Sequence, residues 1–226
     1  MNEKITQTKF KTIKDFPLRE RKYAKTKISL AQEFMDRMKT QRFSNISIKD
    51  VCEKVEVSEG TFYNYFPHKM HLVCFFNKFT VLKLLWEVGR KSFRNDVEII
   101  EYAFDCLADN IGESSLFYEI ISLYASERIK PDDGESLTEA EKVLGLPDCP
   151  GIENVQLMTL ENFFAKHVAN SQKNGLLKKG VSSESIVILL MSTLVGLPLA
   201  IDINHFGSLK GLYKTQLSML WKGLGV

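Results

Sequence analysis

Cysteine, histidine and tryptophan are scarce in this chain: four, four and two in 226 residues. Cys52, Cys74, Cys106 and Cys149 form no C-x-x-C pair, so neither a dense disulfide framework nor a paired-cysteine zinc site is written into the sequence. They read as reduced thiols. Met1 to Pro17 is polar and lysine-rich, without the apolar stretch of a secretory signal, so a cytoplasmic location is expected and the sequon Asn45-Ile46-Ser47 is idle. No G-x-S-x-G, Walker loop, H-E-x-x-H or dinucleotide fingerprint occurs. Nothing therefore proposes a reaction or a cofactor, and the chain is not expected to be an enzyme.

A strong charge of one sign is also missing, since the formal balance is +2. That average conceals a split. Through Leu72 there are 15 basic and 9 acidic residues, a balance of +6, and from Val73 onward 15 and 19, a balance of −4. Apolar residues make up 44% of the chain, enough for real cores. The longest uncharged run, Ser185 to Ile201, has 17 residues, and Ser192, Thr193, Gly196 and Pro198 dilute it. This is at the lower limit for a membrane span, and a helix buried in a core or a subunit interface is expected instead.

Strand alternation bounded by hairpin turns is absent, and helical periodicity dominates, so the fold class is all-α. The expected organisation is a basic flexible arm over 1–17, a helix-turn-helix domain over 18–72, and a larger helical domain over 73–226. A helix from Arg19 to Thr40 would turn Tyr23, Leu30, Ala31, Phe34 and Met38 inward. Ser47 caps the next helix, with Asp50 placed for a capping-box pair, and Ile48, Val51, Cys52 and Val55 form one apolar face. Glu56-Val57-Ser58 interrupts it, and Ser58 caps a short helix, Glu59 to Phe66.

Further helices are expected over His68–Arg94, Asp96–Ile111, Ser115–Arg128, Glu153–Asn174, Ser183–Ile203 and Leu209–Gly223. The proline- and glycine-rich stretch Lys130 to Ile152 reads mainly as loop, with Ser136 and Glu139 as a capping box for a short helix ending at Gly145. Pro198 removes a backbone donor, which predicts a kink near Leu194.

In the short helix, Phe62 and Phe66 lie four residues apart on one face, which leaves Gly60 and Asn64 opposite and Thr61, Tyr63 and Tyr65 to the sides. Hydroxyls, an amide and aromatic edges can meet base edges or phosphates in a major groove, and a glycine admits close approach. Two short helices joined by a three-residue turn have the layout of a helix-turn-helix. The local +6 favours phosphate contact.

The run Ile46-Ser47-Ile48-Lys49-Asp50-Val51-Cys52, followed by Val57-Ser58-Glu59-Gly60-Thr61-Phe62-Tyr63-Asn64-Tyr65-Phe66 and Lys69, resembles the DNA-binding signature of the tetracycline-repressor (TetR) family of bacterial transcriptional regulators. Ile28, Ala31, Phe34 and Phe43 also match apolar positions of that family, so the resemblance covers about Ile28 to Leu72. It implies a homodimeric repressor on a near-palindromic double-stranded DNA operator, with a small-molecule effector in the larger domain that changes the spacing of two recognition helices. It places Ser47 and Lys49 near phosphates, Ser58, Glu59, Gly60, Thr61, Tyr63, Asn64 and Tyr65 along the recognition helix, and Lys69 on backbone phosphate. Glu56 and Arg42 stand where the family usually has glycine, and Cys52 where it has alanine.

Rival readings attach to single features. His68, His71 and Cys74 have zinc-ligand chemistry, but positions six apart drift off one helix face and no fourth ligand is near, so no metal site is expected. Cys52 reads as a core residue rather than a redox sensor. Helices near Trp86, Phe104, Phe117, Tyr124 and Phe163 would enclose an apolar ligand cavity or fill a solid core. Ser183–Ile203 with Glu153–Asn174 is the candidate dimer interface. The alternative function is a helical small-molecule or protein-binding module whose helix-turn-helix is structural.

Overall fold

The computed structural model describes residues 10–111, 118–123, 136–201 and 208–225, and among them there is helix and no strand. The helices are α1 (Leu18–Met38), α2 (Ile48–Val55), α3 (Glu59–Tyr65), α4 (Lys69–Arg90), α5 (Asp96–Ile111), the helical segment α6 (118–123), α7 (Glu139–Gly145), α8 (Leu160–Lys173), α9 (Ser183–Ala200) and α10 (Leu209–Leu224). They fall into two compact units. The first comprises the described parts of Met1–Met35, Ser47–Trp86 and Glu135–Leu157, and the second those of Asp36–Ile46, Glu87–Gly134 and Met158–Val226.

In the first unit, the Pro17 carbonyl accepts the Arg21 N–H at 3.0 Å and opens α1. Leu30, Ala31 and Phe34 are buried as expected, whereas Tyr23 is 39% exposed and does not face inward. The stretch 136–157, although distant in sequence, packs into this unit. Its helix α7 is capped by Thr138 and Glu141, each side chain bonded to the other residue's backbone N–H, so the capping box stands two residues beyond the expected Ser136 and Glu139. Gly145 closes α7 where the Phe79 ring lies so near that a Cβ would collide with it. Trp86 donates its indole N–H to the Pro150 carbonyl at 3.0 Å.

Of the basic arm, residues 10–17 lie in this unit. Lys11 donates its backbone N–H to Glu153 at 2.9 Å and its ammonium to Glu139 at 2.5 Å, while Phe16 is buried. The remainder, residues 1–9, lies outside the described residues.

The second unit is built on α5, α8, α9 and α10, which pack on one another. Phe104, Phe163, Phe164 and Tyr213 are almost wholly buried, with Phe104 meeting Phe164 at 5.6 Å and Tyr213 at 5.0 Å between ring centres. These aromatics pack ring on ring. Phe117 and Tyr124, named for the same region, lie outside the described residues. Asp96 at the start of α5 accepts from Asn170 at 3.0 Å and lies 2.6 Å from His167 Nδ1, tying α5 to α8.

The helix expected from Glu153 begins instead at Leu160, because Thr159 supplies the cap and accepts the Asn162 N–H. Gly175 then takes the left-handed conformation, φ 75°, that ends α8 at the Asn174-Gly175 break. Along α9, Ile186, Val187, Leu190, Leu194 and Pro198 are buried, while Ile188, Leu189 and Leu199 are exposed. Among the described residues it is the one helix long and apolar enough to cross a membrane by length and composition, and one face of it packs in the helical bundle. Pro198 deprives the Leu194 carbonyl of its usual helical donor, and the buried Tyr213 hydroxyl fills the place at 2.6 Å. One turn further, the Pro198 carbonyl accepts from the Tyr118 hydroxyl at 2.7 Å.

Candidate nucleic-acid interface

The site is built on two caps and a turn. Ser47 accepts the Asp50 N–H at 3.3 Å and starts α2, one half of the pair expected there. Ile48, Val51 and Cys52 are buried beneath it. Burial, and secondarily the Glu59 carboxylate, raises the Cys52 thiol above its ordinary range, so this residue behaves as a small apolar core group.

The α2 helix ends on Glu56, the one non-glycine residue with positive φ among the described residues, at φ 60° and ψ 44°. The Glu56 N–H donates to Cys52 and Glu53, and the Val57 N–H to the Cys52 carbonyl at 3.0 Å, a bond pattern that closes a helix through a left-handed residue. Glu56 thus fills a conformation that favours glycine, at a cost of about 1 kcal/mol.

Ser58 then caps α3, accepting the Thr61 N–H at 3.1 Å. Phe62 and Phe66 are the buried side, 0% and 1% exposed, with their ring centres 5.9 Å apart. Glu59, Gly60, Tyr63 and Asn64 are exposed, and Tyr63 retains 53% of its surface. A Cβ placed on Gly60 would meet only Ser58 Oγ, at 3.8 Å. Nothing in the fold of the chain demands a glycine there, and the space it leaves opens outward.

The structure sorts the candidate residues into two groups. Glu59, Gly60, Tyr63 and Asn64 present themselves outward on α3, and Lys49 does so on α2, 3.9 Å from Glu53. Ser47, Thr61, Tyr65 and Lys69 are half-buried, and Ser58, although exposed, shares a 2.9 Å hydrogen bond with Thr61 Oγ1. The Ser58 and Thr61 hydroxyls therefore serve the helix cap.

Two residues at this site were not legible as such. Tyr23 of α1 stands edge-on to Tyr65, 4.7 Å between centres, and Lys27 of α1 is buried instead of solvated. Their signal in the sequence is faint, since a tyrosine and a lysine in a basic helix are ordinary surface residues until α3 and α7 are placed beside them. Of the rival zinc ligands, His68 and His71 lie with ring centres 5.6 Å apart, whereas Cys74 is buried in the core.

No family model and no curated protein matches the sequence. Among solved structures, Salmonella enterica GusR is similar over 89% of this chain and 96% of its own, at 17% identity and a TM-score of 0.60. A TetR family transcriptional regulator from Chloroflexus aurantiacus is similar over 93% and 95%, at 14% identity and 0.48. The ketosteroid transcriptional regulator KstR2 of Mycobacterium tuberculosis is similar over 90% and 94%, at 12% and 0.47. Ten helices without a strand among the described residues, with the capped pair α2 and α3 near the amino end, give this chain the fold of the TetR-family regulators.

Proposed function

We propose that the chain is a DNA-binding transcriptional regulator of the cytoplasm, a homodimeric repressor that releases or grips a near-palindromic operator in response to a small molecule. The observation that carries this reading is the outward face of α3. Glu59, Gly60, Tyr63 and Asn64 stand free of the core on a helix anchored by Phe62 and Phe66 and braced through a tight turn by α2. An amide, a phenol and a carboxylate can each meet base edges, and the open space at Gly60 lets a duplex approach the backbone. Lys49 at the start of α2 and Lys69 at the start of α4 would meet phosphates.

The dimer would form through α9. Ile188, Leu189 and Leu199 are exposed there. An apolar face suits a second copy of the chain, and α9 would pair with the Glu153–Asn174 region in a four-helix contact between subunits. The second unit, with α5, α8, α9 and α10, would receive the effector, and no lining residue is assigned to it.

Gel-shift titrations on the DNA flanking the gene, run against random duplex at several salt concentrations, test the function. A preferred duplex supports it, and equal affinity for every sequence contradicts it. Tyr63→Ala should lose the preference with dimerisation intact, and Lys69→Ala should weaken preferred and random DNA alike.

A further inference from the structure

Lys27 and Glu141 form an ion pair buried inside the unit that carries α3. They are 5% and 0% exposed, with Nζ 3.3 Å from Oε1. The ammonium also faces three rings, Phe75 at 4.8 Å and Tyr23 and Phe66 each at 5.7 Å. Two of these rings lead to the recognition helix. Phe66 closes α3, its N–H donating to the Phe62 carbonyl at 2.8 Å, and Tyr23 is edge-on to Tyr65 in the last turn of that helix.

The carboxylate is itself held. Glu141 Oε2 accepts the Thr138 N–H at 2.8 Å within the capping box of α7, and the neighbouring Lys142 donates to the Val155 carbonyl at 2.7 Å. Burial lowers the proton affinity of the Lys142 ammonium, and that carbonyl bond partly offsets the lost water. An ammonium beneath three rings is stabilised by a counter-charge 3.3 Å away, because burial penalises a cation that loses one.

We propose that Glu141 is a positioning residue for DNA reading: it keeps Lys27 beneath Tyr23 and Phe66 and thereby fixes the Tyr65-Phe66 end of α3. The stretch 136–157 then braces the recognition helix from far along the chain. This inference rests on the reading of α3 as the DNA-contacting helix, but its physical step, the hold on α3, can be measured without DNA.

The test uses the full chain as Glu141→Gln and as the double variant Glu141→Gln, Lys27→Met. Amide hydrogen exchange is followed at Phe62 and Phe66 without DNA, and preferred-to-random duplex discrimination is measured beside it. Glu141→Gln should speed exchange at both amides about tenfold or more, leave α8 unchanged, and lower discrimination about tenfold at an unchanged salt slope. Adding Lys27→Met replaces the buried cation with an apolar side chain and should return both readouts to within about threefold of the natural chain. Rescue of the single variant's folding by the second substitution would equally support the route through Lys27.

Unchanged exchange in Glu141→Gln, unchanged discrimination despite faster exchange, a loss that Lys27→Met does not repair, or a failure of both variants to fold overturns the proposal. If the natural chain prefers no duplex, the DNA reading fails, while the exchange measurements still decide whether Glu141 holds α3.

Discussion

At the scale of single residues, Glu56 and Gly60 have exchanged the roles that their types would suggest. Glu56 occupies a left-handed turn where glycine is at ease, and Gly60 sits in a helix where the fold would accept a side chain. Glu56→Gly should therefore raise stability by about 0.5–1 kcal/mol, the relief of left-handed strain exceeding the added freedom of the unfolded chain. Denaturant titration measures this, and a loss of stability would contradict it. Gly60→Ala should also leave the fold equally stable or better by about 0.5–1 kcal/mol. Its affinity for a preferred duplex should nevertheless fall, because the methyl group projects where the duplex would approach. A variant less stable and unchanged in binding would show that Gly60 serves the fold.

The outward set on α3 was legible from one spacing, Phe62 to Phe66, since a helix with a fixed buried face has only one opposite face. Lys27 was not legible. A lysine in a helix dense with basic residues reads as solvated, and only the arrival of Glu141 from a distant segment makes its burial tolerable. The +6 balance through Leu72 overstates the charge free to meet phosphates, because Lys27 is paired with Glu141 and Lys11 with Glu139.

At the scale of elements, helix beginnings followed their caps. Ser47, Ser58 and Ser182 each accept the N–H three residues on, and α2, α3 and α9 start where those side chains permit. The start of α8 was misplaced because apolar periodicity runs back through Val155 and Leu157, and no periodicity reports that Thr159 will take the cap.

Pro198 shows the complementary case. Its cost was readable in the sequence, but its remedy was not, since the Tyr213 hydroxyl reaches the Leu194 carbonyl from α10. Tyr213→Phe keeps the ring packing and strands that buried carbonyl, so it should destabilise the chain by about 1–3 kcal/mol in thermal or denaturant unfolding. No change in stability would mean that the Leu194 carbonyl finds another donor.

At the scale of the whole molecule, composition divides the chain into a basic amino-terminal portion and an acidic remainder, but contacts divide it differently. The acidic stretch 136–157 belongs with the first unit, where Glu139, Glu141 and Glu153 meet Lys11 and Lys27. A boundary drawn by sequence position could not foresee a segment that returns. The uncharged run in α9 has a role in both the fold and the proposed assembly, with one face in the bundle and the other exposed. Lysines at Ile188 and Leu189 together should convert a dimer to a monomer in sedimentation velocity while helix content is retained, since neither side chain is buried. A dimer that survives both lysines would place the subunit contact elsewhere.

The central claim is that α3 reads DNA by sequence, and the most direct measurement is the affinity ratio between duplexes selected from a random pool and random duplex at physiological salt. The account predicts a near-palindromic winner bound about 10³-fold or more tightly than random DNA, with the ratio collapsing in Tyr63→Ala. A pool that yields no winner, or a winner whose preference survives Tyr63→Ala unchanged, would contradict it.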